Sequence, residues 1–175
     1  MKIRVFILFI VGVLLCGCNN TEVYSRDYLE SEGPLQYCSE YAVTYHSGVP
    51  GYNESGYNII YQSVGSNEFQ KLFEVSTASS LFDLDIHDGY IYIINRDDTS
   101  NLIYAYELEG EHESISWDAE TYIHGIREYF GKNEEYLYFS YYDRDRNLTY
   151  GRLSLDLQNF LEVEKEDIPE NLTRC

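Results

Sequence analysis

An internal repeat constrains the fold of this chain more than any other feature. Laid without a gap on residues 136–150, residues 90–104 are identical at six of fifteen positions. The identical pairs, at an offset of 46 residues, are Tyr90 and Tyr136, Tyr92 and Tyr138, Asp97 and Asp143, Asn101 and Asn147, Leu102 and Leu148, and Tyr104 and Tyr150. Repeats of this length are typical of propeller blades, which bury a core only by stacking on their neighbours. We therefore expect a stack of similar units.

A third, weaker copy lies upstream. Residues 58–61 match residues 101–104 at an offset of 43, and the preceding loop is about six residues longer than in the other copies. Loops accept such insertions more readily than strands do. The copies divide the chain into repeats at about 35–78, 79–120 and 121–163, followed by a charged C-terminal tail at 164–175.

Each repeat contains short segments that favour strands. Tyrosine, phenylalanine, isoleucine and valine suit a half-buried pleated surface, and the chain has 19 Tyr and 8 Phe but one Met. The predicted strands are 35–38, 41–45, 58–61, 69–75, 82–86, 90–94, 102–108, 114–117, 122–129, 136–142, 148–155 and 160–163. This pattern predicts an all-β, propeller-like array of about three four-stranded antiparallel blades, with a β-sandwich as the alternative.

Three repeats are fewer than the four to eight blades of most propellers. A bare array of three would leave two apolar faces open, which is an aggregation liability. Part of the N-terminal region could complete a fourth blade, the chain could assemble as a homo-oligomer, or the array is short or incomplete. We favour the short or incomplete array.

The segment DGYIYIIN followed by NLIYAYELEG resembles the YWTD blade of low-density-lipoprotein-receptor-type propellers. It is also similar to the Tyr-rich propeller-like domains of bacterial lipoproteins of unknown function. Tyr92 lies at the motif tyrosine, whereas Ile93, Ile94 and Asn95 stand where Trp, Thr and Asp would be. The resemblance covers about residues 41–163 and implies blade architecture. It transfers no ligand residue, because a fold does not fix a function.

The first residues form an export signal. Lys2 and Arg4 precede eleven apolar residues, Val5 to Leu15, a run too short to span a bilayer. The sequence Leu15-Cys16-Gly17-Cys18 resembles the bacterial lipobox, in which the last cysteine receives diacylglycerol and becomes the new N-terminus. This resemblance implies a signal peptide at 1–17, a fatty-acid anchor on Cys18 in the cell membrane facing outside the cytoplasm, and a tether at 18–34. An ordinary signal peptide cleaved near Gly17 is the alternative.

The charge balance excludes one class of partner. The whole chain carries a net charge of −18, and loss of Lys2 and Arg4 with the signal leaves ten basic residues against 30 acidic ones, or −20. Nucleic-acid binding requires a concentrated positive surface. We therefore expect no nucleic-acid partner.

Two cysteines remain after Cys18 is lipidated. Exported proteins keep disulfides, and a bridge between Cys38 and Cys175 would join the first repeat to the last residues. Two free thiols are the alternative. A pair 137 residues apart, without nearby paired histidines, does not have the spacing of a metal site.

Acidic loops are the candidate ligand or calcium positions. Asp143 and Asp145 with Asn147 have a D-x-D-x-N spacing, and Asp97 and Asp98 occupy the equivalent loop of the second repeat. The helical calcium loop is excluded, because it requires Gly at position 148 and Glu at position 154, where this chain has Leu and Ser. We favour solvated turn residues and predict no metal and no cofactor.

No set of residues predicts catalysis. Asp83 and Asp85 lie on one face of a strand, and carboxylate pairs hydrolyse glycosides at suitable separations, but alternation with Phe82, Leu84 and Ile86 explains them as its polar face. The repeated tyrosines suit blade packing, whereas Trp117, Tyr52 and Tyr57 are freer to serve a surface. These patterns favour a non-catalytic binding module for a protein or glycan. The alternatives are a surface glycan hydrolase or lyase using loop carboxylates, and a structural subunit of an envelope complex.

Overall fold

The computed structural model describes residues 22–47, 56–75, 80–96, 102–118 and 123–175. These residues form an all-β, propeller-like array of three antiparallel sheets, which confirms the predicted fold class. The elements in chain order are β1 (Val23–Ser25), α1 (Arg26–Glu32), β2 (Leu35–Cys38), β3 (Tyr41–His46), β4 (Tyr57–Gly65), β5 (Glu68–Val75), β6 (Phe82–His87), β7 (Tyr90–Asn95), β8 (Leu102–Glu107), β9 (Ser114–Asp118), β10 (Ile123–Lys132), β11 (Tyr136–Asp143), β12 (Leu148–Ser154), β13 (Phe160–Val163) and a 3₁₀ turn at Lys165–Asp167.

Each repeat folds as a meander of four successive strands. The second sheet has the order β6-β7-β8-β9 and the third β10-β11-β12-β13. The first has the order β1-β5-β4-β3-β2, so it contains five strands instead of the predicted four. The hairpin between β6 and β7 turns at Asp88 and Gly89, which both have a positive φ (46° and 78°). Positive φ angles at both turn residues give a two-residue turn whose twist matches that of the strands.

The sheets stack face to face, and β7 supplies side chains to both interfaces. Ile91 and Ile93 pack against the first sheet, while Tyr92 and Ile94 pack against the third. A strand covered on both faces needs apolar residues at every position, which explains the unbroken apolar run of β7.

Residues 22–34 do not form a simple tether, which corrects the prediction for that part of the chain. Strand β1 pairs with β5, and α1 begins after Ser25, whose Oγ accepts a hydrogen bond from the Tyr28 amide at 3.2 Å. Leu29 of α1 is fully buried and packs on the face of the first sheet that points away from the second. The helix therefore covers one of the two faces that a bare array would leave open. Within the described ranges, no helix is both long and apolar enough to cross a membrane.

The last four residues, 172–175, form what we call the closing segment. The Lys132 amide donates to the Thr173 carbonyl at 2.8 Å, and the Thr173 amide donates to the Lys132 carbonyl at 2.9 Å. This pairing places the segment along the end of β10. Gly131 permits the approach, because a Cβ atom there would lie 2.5 Å from the Thr173 carbonyl oxygen. Part of the predicted charged tail is thus packed against the third sheet.

Candidate functional sites

A cluster of charged and polar side chains lies where the first strands of the second and third sheets meet the closing segment. We call it the central polar cluster; its members are Asp83 and Asp85 of β6, Arg96 after β7, Tyr129 and Lys132 of β10, and Arg174. Strand β2 adjoins the same region, since the Gln36 side-chain amide donates to the Phe82 carbonyl. Strands β2, β6 and β10 therefore bring distant parts of the sequence together.

Asp85 is the most deeply buried member, with 1% of its surface exposed. Its Oδ2 accepts a hydrogen bond from the Tyr129 hydroxyl at 2.7 Å, and its Oδ1 lies 3.1 Å from Lys132 Nζ. Oδ1 also accepts from the Ile86 amide at 2.8 Å. Burial, and then the neighbouring Asp85 carboxylate, raise the pKa of Tyr129 well above its ordinary value, so this hydroxyl remains a neutral donor.

Asp83 pairs with two guanidinium groups. Its Oδ1 lies 2.8 Å from Arg174 Nη2, and its Oδ2 lies 3.2 Å from Arg96 Nη1. Arg174 also donates from Nη1 to the Tyr129 carbonyl at 3.1 Å. A buried carboxylate is tolerated only when it is paired and hydrogen-bonded, and both aspartates meet that condition. Their face of β6 is therefore buried, which corrects the interpretation of it as an ordinary polar strand face.

The structure joins Cys38 and Cys175 as a disulfide. Their Cα atoms are 5.0 Å apart although 137 residues separate them in sequence. Cys38 ends β2 in the first sheet, while the closing segment pairs with β10 in the third. The bridge thus connects the two ends of the array.

The candidate calcium loop is organised by its own residues. Asp143 accepts hydrogen bonds from the Asn147 amide at 2.8 Å and from the Asn147 side-chain amide at 3.1 Å. Arg146 has a φ of 64° and donates its amide to the Asp143 carbonyl, so the loop is a tight turn, with Asp145 exposed. In the part of the chain that the structure describes, no group of three or more His, Cys, Asp or Glu is arranged to hold a metal. Cys18, Asp97 and Asp98 lie outside the described residues.

The structure describes three of the aromatic residues that the sequence analysis singled out. Tyr92 is buried and its hydroxyl donates to the Leu155 carbonyl at 2.9 Å, so it links the second sheet to the third. Trp117 was expected at a surface but is 8% exposed and packs on Phe139 and Phe160 of the third sheet. Tyr57 stacks on His46 at 5.1 Å between ring centres. Tyr52 lies outside the described residues.

A groove of about 370 Å³ lies between the third sheet and the chain that follows it. We call it the aromatic groove; its described lining residues are Phe130, Tyr150, Lys165, Ile168, Pro169, Glu170 and Leu172. The Phe130 and Tyr150 rings stack at 6.1 Å between centres, and both side chains are half-buried. Ile168, Pro169 and Leu172 complete an apolar wall, while Lys165 and Glu170 are exposed. The groove combines ring surfaces with charged groups of both signs.

A second concavity has a volume of about 280 Å³, and its described lining residues are Arg96, Arg127, Glu128 and Arg174. We call it the arginine recess. It shares two residues with the central polar cluster, whose Asp83 holds Arg96 and Arg174. The recess therefore gathers three guanidinium groups from three separate parts of a chain with only 12 basic residues.

Several of these residues escaped sequence reasoning. Lys132, Tyr129 and Arg174 lie 44 to 91 residues from the carboxylates they contact, and no local pattern connects them. One signal was available: Arg174 directly precedes Cys175, so a disulfide to Cys38 would carry that arginine into the array. The aromatic groove had no such signal, because Phe130 and Tyr150 alternate with buried residues as in any strand.

Comparison with known proteins found no match: no family model, no curated protein and no solved structure matches the chain. The resemblance to YWTD blades accordingly stays a prediction from the sequence.

Proposed function

We propose that this protein is a lipid-anchored binding module outside the cytoplasm, which holds a protein or glycan in the aromatic groove and catalyses no reaction. The observation that carries the proposal is the groove itself. Concave sites with an apolar lining and a few polar groups are the usual form of ligand sites. Its volume of about 370 Å³ suits a short segment of a larger ligand.

The groove offers chemistry that suits a sugar ring or an amino-acid side chain. Phe130 and Tyr150 line the groove with two stacked rings, and aromatic residues are enriched among those that dominate binding energy. Lys165 and Glu170 supply a charged donor and acceptor that fix orientation. Together these groups favour a ligand with both an apolar face and hydroxyl or amide groups.

The pairing of the central carboxylates argues against the hydrolase alternative. A glycosidase needs one carboxyl group that donates a proton and another that attacks or activates water. Asp83 and Asp85 are each engaged by two partner side chains, and Asp143 is engaged by its own loop. Using any of them as an acid or base would first break these contacts.

Lipidation at Cys18 would keep the module close to the bilayer. Four residues separate Cys18 from Val23, where β1 begins. Even fully extended, that span reaches about 18 Å. A ligand on the membrane or in the adjacent envelope layer is therefore favoured over a distant one.

Binding to glycan and peptide arrays tests the groove. We expect the purified protein to bind a defined set of ligands, and Tyr150→Ala to weaken that binding about tenfold or more, as loss of an aromatic anchor does. Tyr142→Ala is the matched control, because Tyr142 is an exposed tyrosine of the same sheet that does not line the groove. No array binding, equal effects of the two substitutions, or turnover of a bound glycan would contradict the proposal.

Metabolic labelling with a fatty acid tests the anchor. We expect label in the exported protein, loss of label in Cys18→Ser, and retention in Cys16→Ser, since Cys18 holds the lipobox cysteine position. Release of an unlabelled mature chain into the medium would contradict lipid anchoring, but it would leave the proposal of ligand binding in the aromatic groove unchanged.

A further inference from the structure

We propose that the arginine recess is an anion-binding site that takes a carboxylate group of a small ligand. The site is separate from the aromatic groove, and the inference does not depend on it. Three guanidinium groups line this one concavity, from Arg96, Arg127 and Arg174. In a chain of net charge −18, their convergence concentrates positive potential that is scarce elsewhere.

Two of the arginines are held in place before any ligand arrives. Asp83 lies 3.2 Å from Arg96 Nη1 and 2.8 Å from Arg174 Nη2. The Tyr129 carbonyl holds the other terminal nitrogen of Arg174 at 3.1 Å. A guanidinium fixed in this way loses less conformational entropy when it binds a ligand.

The same arginines have N–H donors that these contacts do not engage. A guanidinium has five N–H groups, and the contacts above engage two of those on Arg174 and one on Arg96. The Arg96 Nε atom is buried and has no hydrogen-bond partner among the described residues. An unsatisfied buried donor is unfavourable, so the hydrogen-bonding capacity of Arg96 is not fully used by the described residues.

Charge favours a monoanion. Among the described residues, Arg96, Arg127 and Arg174 contribute three positive charges, against one negative charge each on Asp83 and Glu128. These five side chains have a surplus of one positive charge, which a single carboxylate neutralises. A phosphate dianion would exceed that surplus and face the Glu128 carboxylate.

The geometry of the guanidinium group also favours a carboxylate. The guanidinium fork binds a carboxylate through two parallel hydrogen bonds, and Arg127 is exposed at the rim, where it can provide them. The recess volume of about 280 Å³ lies near the lower end for small-molecule sites, so it admits one small acidic unit. The carboxylate could come from a sugar acid or from an acidic peptide side chain.

Titration with glucuronate, followed through the arginine Nε–H signals in NMR spectra, tests the site. We expect a saturable shift of the Arg96 Nε–H signal with glucuronate and none with its methyl ester, which has no charge. Butyrate, a monocarboxylate without a sugar ring, distinguishes the two sources: competition by butyrate shows that the carboxylate alone is recognised, and its failure to compete assigns the sugar acid.

Arg127→Gln should weaken glucuronate binding about tenfold, the size expected from losing a charge-assisted pair. Arg144→Gln, which removes another exposed arginine that is not among the described lining residues of the recess, should leave glucuronate binding unchanged. Both positions are exposed, so both variants should fold as the parent does. Absence of a saturable shift, equal binding of the methyl ester, tighter binding of inorganic phosphate than of glucuronate, or equal effects of the two substitutions would overturn the proposal.

Discussion

Lys132 places its Nζ atom 3.1 Å from Oδ1 of Asp85, and the two side chains keep only 12% and 2% of their surfaces exposed. The pair joins the first strand of the third sheet to the first strand of the second. A buried ion pair adds little net stability, but removing one partner leaves an uncompensated charge in the interior. The sheet boundary therefore depends on both residues being present.

Lys132→Met should lower the free energy of unfolding by about 3–5 kcal/mol, because Asp85 would remain buried without its cation. Urea denaturation measures the change. The control is Lys71→Met, which removes the exposed pair with Glu74 and should lower stability by about 1 kcal/mol or less. Similar losses in the two variants would mean that the Asp85 pair is not buried as described.

Gly131→Ala should release the closing segment. A Cβ atom at this position would meet the Thr173 carbonyl oxygen at 2.5 Å, and the backbone there has a φ of +127°. Gly89→Ala is the control, since Gly89 also has a positive φ (+78°) but open space around its Cα atom. Limited proteolysis should cut residues 164–175 faster in Gly131→Ala than in Gly89→Ala. Equal cleavage rates would show that the strain of a positive φ alone, without the clash with Thr173, explains cleavage of both variants.

Loss of the disulfide should lower stability by about 2–5 kcal/mol, as expected for a bridge that closes a long loop. The loop between Cys38 and Cys175 spans 137 residues. Denaturation of the protein with and without reductant measures the difference. The double variant Cys38→Ser/Cys175→Ser supplies the control, because reductant should leave its unfolding midpoint unchanged. If reductant has no effect on the parent protein either, the bridge does not contribute to stability.

Stability should fall in alkali as buried tyrosines ionise. Burial raises the pKa of Tyr92 from 10.0 to about 12, and also raises that of Tyr129. The unfolded chain releases these protons first, so the contribution of these tyrosines to the free energy of unfolding is constant below pH 10 and decreases as the pH rises from 10 toward 12. Each such tyrosine steepens the decrease by about 1.4 kcal/mol per pH unit.

Tyr92→Phe should therefore have a shallower decrease above pH 10 than the parent protein, whatever its stability at neutral pH. Urea denaturation at a series of pH values measures both slopes. Parallel slopes would indicate that Tyr92 ionises as readily in the folded protein as in the unfolded chain.

The strands were largely predictable because each repeat alternates or concentrates apolar residues, and because turn residues such as Asp88 and Gly89 separate successive strands. The unbroken apolar run of β7 agrees with the burial of both of its faces, on which Ile93 and Ile94 lie. The helix α1 was not predictable, since seven residues with a single buried side chain, Leu29, are too few to display helical periodicity.

The central polar cluster was not predictable for a different reason. Alternation of Asp83 and Asp85 with apolar residues looks the same whether the polar face meets water or a buried cation. Only the fold brings Lys132 and Arg174 to that face. The pairing of the closing segment was not predictable either, because a charged sequence with Pro169 is typical of an exposed tail.

The closing segment pairs with β10 and, through the disulfide to Cys38, connects the first and third sheets. Hydrogen exchange at the Thr173 amide tests this pairing most directly, because that amide donates to the Lys132 carbonyl at 2.9 Å. We expect the amide to exchange slowly in the oxidised protein, as strand amides of the third sheet do. Exchange at the rate of an unstructured peptide would contradict the pairing, and with it the placement of Arg174 beside Asp83.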